Sequence, residues 1–110
     1  MSYKIKESRA FEDLEIRDTS DHLSPIIDNS GFAIKTIIIE NSLNQDITCT
    51  CLGSVHEDFS ESFVIGAFPH SASTNGYQTC ESYIPFWKLQ ATCATAPTSG
   101  LLNVYIEGIR

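Results

Sequence analysis

From Gly31 onward the chain is written in short runs whose apolar residues fall on every second position, with turn-forming residues between the runs. Side chains of a strand alternate between two faces, so a period of two assigns one face to a core and the other to solvent. WKLQATC sets Trp87, Leu89, Ala91 and Cys93 against Lys88, Gln90 and Thr92, and LLNVYIEG sets Leu102, Val104 and Ile106 against Asn103, Tyr105 and Glu107. ITCTCLGS sets Ile47, Cys49 and Cys51 against Thr48, Thr50 and Leu52. Runs recurring at roughly ten-residue intervals, with no helical period between them, predict an all-β protein. The expected form is a single antiparallel β-sandwich, a jelly-roll-like domain.

Several segments carry more particular expectations. GFAIKTIIIENS reads as a strand buried on both faces in its second half. LNQD reads as turn chemistry and HEDFSES as a polar loop. PHSASTNGYQTCES reads as a long loop, with Asn75-Gly76 as its hairpin-turn dipeptide. In APTSG, Pro97 fixes its own φ and Gly100 tolerates the left-handed conformation a turn needs. Residues 1–30 are acidic and mixed in pattern, so they are expected to form an N-terminal arm or edge segment, leaving 31–110 as the sandwich domain.

The 110 residues suffice for one sheet-on-sheet core. Fourteen acids against seven bases give a net charge of −7, and the bases are scattered. Phosphate contacts need clustered Lys and Arg, which argues against nucleic acid and anionic membranes as partners. No apolar stretch is long enough to span a bilayer, and MSYKIKESRAFEDLEIRD lacks the apolar segment of a signal peptide, so secretion by that route is not expected.

Candidate chemistry is sparse. Cys49 and Cys51 share a strand face; with Cys80 and Cys93 they are the residues a metal would use, if any. Strand C-x-C is unlike the turn-borne spacing of zinc knuckles, and small buried hydrophobes are the competing role, so no metal and no cofactor are expected. Cys80, read as lying in a polar loop, is the thiol expected to be exposed and reactive. His22, His56 and His70 sit in no nucleophile motif, and neighbouring acids such as Glu57-Asp58 point oppositely on an extended chain. No D-x-[DN]-x-[DN]-G calcium loop is present. No catalytic residue is therefore assigned, and an enzyme is not expected. Tyr77, Tyr83 and Tyr105 are the candidate contact residues, because Trp87 shares its face with Leu89 and Cys93.

IIIENSLNQDITCTCLGS combines a hydrophobic run, an Asn-bearing turn and an alternating strand, and after two further strands comes the aromatic-bearing YIPFWKLQATCATAPTSGLLNVYI. This order resembles small β-sandwich proteins encoded among phage and prophage structural genes. The likeness covers residues 33–107 by strand pattern, with APTSG between alternating runs as its sharpest element. It implies a virion component such as a capsid decoration, neck or tail part, in which APTSG closes a C-terminal hairpin. It also implies self-association into a homo-oligomer, contact with other virion proteins, and residence in the virion or, before assembly, in the host cytoplasm. The alternative is a module that binds a carbohydrate or another surface ligand through Tyr77, Tyr83 and the loop at 68–80.

Overall fold

The alternating runs become strands because each must bury one face and satisfy its backbone along a ladder. The computed structural model describes residues 5–109; Met1–Lys4, at the start of the segment assigned to an arm, and Arg110 lie outside the described residues. The strands are β1 (Ile5–Leu14), β2 (His22–Leu23), β3 (Ile27–Asp28), β4 (Ile34–Asn41), β5 (Ile47–Ser54), β6 (Phe63–His70), β7 (Thr74–Glu81), β8 (Phe86–Thr92) and β9 (Leu102–Ile109). They form two antiparallel sheets packed as a β-sandwich. The first runs β1-β9-β4-β7; the second runs β2-β8-β5-β6, with β3 following β2 along the same edge of β8.

The core lies between the inward rows that the alternation marks. Trp87, Leu89, Ala91 and Cys93 face Leu102, Val104 and Ile106, and all seven are fully buried with Ile37, Cys49 and Cys51. Part of the segment 6–30 enters this core. Ile16 and Ile27 are buried in it, and in β1 a register shift between Arg9 and Phe11 lets the consecutive residues Ala10 and Phe11 both bury.

Four expectations need correction. β8 and β9 lie in different sheets, so APTSG is not a hairpin turn but part of an arch that carries the chain across the sandwich. Its apolar flanks face each other across the core rather than along one sheet. Asn75-Gly76 lies inside β7; the turn is Ser71–Ser73, with Ser73 at φ 54°. Gly76 lets the His70 ring pack close to the strand, since a Cβ there would sit 2.8 Å from that ring. In β4 only the inward row of Lys35, Ile37, Ile39 and Asn41 buries fully, while Ile38 is half-buried on the outer face beside tyrosines of both neighbouring strands. Leu43, expected in a turn, is completely buried.

Leu43 sits where three crossings between the sheets meet: β4 to β5, β6 to β7 and β8 to β9. Its carbonyl accepts the Ser73 N–H at 3.0 Å. Asn44 Nδ2 donates to Thr98 Oγ1 at 2.7 Å and its Oδ1 accepts the Thr98 N–H at 3.0 Å. Ser42 Oγ likewise accepts the Leu101 N–H at 2.8 Å. One end of the sandwich is thus three loops zipped around a leucine.

Candidate functional site

The opposite face of the first sheet, away from the core, gathers the residues the sequence singles out for contact. Pairing places Arg9 of β1 beside Tyr105 of β9, Tyr105 beside Ile38 of β4, and Ile38 beside Tyr77 of β7. This is one unbroken row across all four strands. The next row of the same face holds Glu7, Glu107, Thr36 and Thr79, and beyond it Ile109 and Ile34 lead to Glu81. Tyr83 follows β7 and, with Ala33, Ile34, Glu81 and Ser82, lines a recess of about 390 Å³ at the sheet's corner.

The three tyrosines are not equivalent. Tyr77 and Tyr83 are 75% and 82% exposed. Tyr105 is half-buried and held from two sides: the Arg9 guanidinium lies 5.5 Å from its ring centroid, and its hydroxyl hydrogen-bonds the Glu40 carboxylate. That hydrogen bond, with some burial, raises the Tyr105 hydroxyl above its ordinary value. Arg9 is fixed in turn by Glu12 at 2.7 Å. The structure therefore joins Tyr77 and Tyr105 in one row through Ile38 and sets Tyr83 at a separate corner beside Ile34. Strand alternation puts Tyr77 and Tyr105 on the outer face, whereas Tyr83 and the recess at Ile34 depend on the connection after β7, which has no signal in the sequence.

The cysteines are dispersed. Cys49 and Cys51 are adjacent on β5, and their thiols hydrogen-bond each other. That contact, together with burial, pushes the Cys51 thiol far up. Cys80 is not in a loop but on β7, half-buried against the core, and burial raises its thiol as well. Cys93 is buried at the arch end of the sandwich, and its thiol is raised by burial and by the nearby Asp18 carboxylate. Among the described residues no three of His, Cys, Asp and Glu group as a metal site.

The histidines are engaged locally. His22 Nε2 lies 2.8 Å from Asp18 Oδ1, and Ser20 Oγ donates to the same oxygen at 3.0 Å. The contacts thus run Ser–Asp–His, whereas a nucleophilic relay requires the histidine between the other two. His56 pairs with Glu61 at 3.7 Å, and His70 Nε2 contacts the Thr74 carbonyl at 2.8 Å.

Among the described residues the buried charge is Lys35, in a position that strand alternation assigns to an apolar side chain. It points into the core end nearest the β7–β8 connection, fully buried, where its ammonium donates to the carbonyls of Phe32, Ser82 and Ile84. It also lies 5.5 Å from the Trp87 ring centroid. Burial holds this lysine below its ordinary pKa. With its donors spent on backbone, it ties the β3–β4 and β7–β8 connections together.

No protein-family model matches the chain, and no curated protein matches it. Among solved structures, the fold is similar to that of the PBSX exported protein XepA, with a TM-score of 0.68 and 9% sequence identity. The likeness covers 97% of this chain and 36% of that one, so the chain spans about a third of that protein's length. At this identity the likeness is one of fold. Among the described residues no helix is long and apolar enough to cross a membrane.

Proposed function

We propose that the chain is a non-enzymatic, phage-like virion structural or accessory protein, a capsid decoration, neck or tail component, that works through protein–protein assembly. The observation that carries the assembly reading is the outer face of the first sheet, where Tyr77 stands 75% exposed in a row with Ile38 and Tyr105. Tyrosine supplies a large, stiff, amphipathic contact area and is enriched at protein interfaces. The reading is supported by the structural use of Lys35, held on three carbonyls, and of His70, held on Thr74.

The phage association is supported by fold likeness to a phage-related protein across nearly the whole chain. It is supported also by strand order. With β2 and β3 taken as one interrupted strand, the two four-stranded sheets and their crossings follow a jelly-roll scheme. That architecture occurs in viral capsid and lectin domains alike. Residence in the virion, or in host cytoplasm before assembly, follows from the same reading.

The test is to purify particles from the source strain and determine their protein content by mass spectrometry, alongside light scattering of the isolated chain. Recovery in a fixed ratio to a known particle protein is expected. Absence from particles, together with no binding to any particle protein, would sink the proposal.

A second reading rests on the recess between Ile34 and Tyr83, whose exposed ring and neighbouring Glu81 offer a stacking surface and an acceptor for a sugar. A glycan panel read by intrinsic fluorescence tests it. A saturable change abolished by Tyr83→Ala supports it, and silence across the panel removes it.

A further inference from the structure

Among the described residues the sandwich has four open edges: β1 and β7 in the first sheet, β6 and the β2/β3 pair in the second. An open edge presents unpaired N–H and C=O groups to any other strand, and natural sheets blunt it with charge, proline, bulges or brevity. Three edges here carry such devices. β1 has two register shifts, Asp13 at φ 49°, and the charges of Lys6, Glu7, Arg9, Glu12 and Asp13. β6 has Pro69 and a register shift opposite Cys51 and Leu52. β2 and β3 are two residues each.

β7 has none of these. It pairs with β4 in unbroken register from Ile34–Glu81 to Asn41–Thr74, contains no proline, and carries no charge before Glu81. Its free hydrogen-bonding groups can be assigned. The Ser82 N–H donates to the Ala33 carbonyl at 2.7 Å, one step beyond the Ile34–Glu81 pair. Alternation along an antiparallel ladder then turns the backbone of Gly76, Gln78 and Cys80 toward β4. The N–H and C=O groups of Asn75, Tyr77, Thr79 and Glu81 are left facing outward.

We propose that this edge pairs antiparallel with β7 of a second copy of the chain, about a two-fold axis at Gln78, fusing two first sheets into one; the proposal rests on the assembly reading above and names its surface. A two-fold at Gln78 keeps the outer faces continuous, setting Tyr77 beside the partner's Thr79 and Asn75 beside the partner's Glu81. Aromatic residues opposite β-branched ones are favourable cross-strand pairs. The edge is complementary to itself: in this register the outward backbone groups of Tyr77 meet those of the partner's Thr79, and although each copy carries −7, the strand's single acid faces an asparagine rather than a like charge.

The experiment uses light scattering and residue-resolved amide exchange on the wild type, Thr79→Pro and Thr79→Lys. The Thr79 N–H points away from β4, so proline there spares the internal ladder while removing an outward donor. The wild type should show at least twice the 12.2 kDa chain mass, and both variants should fall to the single-chain mass with the far-UV spectrum retained. Amides of Tyr77 and Thr79 should be protected in the assembled wild type, and that of Tyr77 should exchange at least tenfold faster in the variants. Gln78 and Cys80 should stay protected in all forms.

An assembled wild type whose mass ignores both substitutions overturns the β7 contact while leaving assembly standing. A wild type that is monomeric at every concentration overturns self-pairing. If its Tyr77 and Thr79 amides then become protected only with purified particle proteins, the edge serves a different chain and the virion reading survives.

Discussion

Gly100 and Ser42 touch backbone to backbone: a Cβ placed on Gly100 would lie 2.0 Å from the Ser42 carbonyl oxygen. Gly100 is also at φ +91°, a conformation that costs other residues free energy even in open space. The two constraints coincide where the β8–β9 arch crosses the β4–β5 loop. Gly100→Ala should therefore destabilise the fold by at least about 2 kcal/mol, more than left-handed strain alone. Chemical denaturation of the pair of proteins measures this, and a change below about 0.5 kcal/mol would show that the loops separate at little cost.

Lys35 gives a second prediction. Its ammonium serves three carbonyls in a region closed to water, so Lys35→Met keeps much of the volume but orphans those acceptors. The expected loss is at least about 2 kcal/mol by denaturant titration. Because burial lowers the folded pKa, the wild type binds fewer protons than its unfolded chain between that pKa and the ordinary value of 10.5. Lys35 therefore contributes a gain in stability as pH rises through that window. The wild-type-minus-variant difference should grow there, and a flat difference would contradict the assignment.

The contrast between these two residues shows what the sequence displays. Gly100 stands in a turn motif, and P-T-S-G marks it as a residue that tolerates a left-handed conformation. Lys35 occupies an inward slot that period-two patterning reserves for apolar residues, and it is explained by the nearby Phe32 carbonyl together with those of Ser82 and Ile84, distant in sequence. For the same reason inward parity identified Trp87, Leu102 and Ile106 as core but could not separate a hairpin from an arch. Both connections put the same residues inward, and the sheet each strand joins is decided by long-range pairing. Tyr105 is legible as outward-facing from alternation and Tyr77 only as a contact residue in an expected loop; their alignment through Ile38 requires the register of three strands.

Thiol chemistry supplies a third prediction. Cys49, Cys51 and Cys93 are fully buried, while Cys80 is partly accessible with its thiol raised by burial. A disulfide reagent at neutral pH should label only Cys80 in the folded protein, and slowly, since the thiolate is the reacting form. Cys80→Ser should abolish native labelling, and denaturation of the wild type should expose all four thiols. Rapid reaction of two or more thiols in the folded state would contradict this packing.

The fourth prediction concerns acid. Asp18, Asp28 and Asp58 each precede a serine by two residues and accept its backbone N–H, at 3.3, 2.9 and 3.0 Å. All three carboxyls are held below the ordinary value of 3.8. For Asp18 the principal cause is His22, followed by the Ser20 hydroxyl; for Asp28 and Asp58 it is hydrogen bonding from Ser30 and Ser60. A carboxyl depressed by folding contributes stability that is fully present above its unfolded pKa and is lost as pH falls through the folded one. Acid should accordingly weaken the three turns together, with loss beginning near the ordinary carboxylate range. Replacing all three with asparagine keeps an acceptor oxygen but removes the titration, so the fall in denaturation midpoint below about pH 4 should become shallower. An unchanged slope would mean that acid sensitivity arises at other carboxylates.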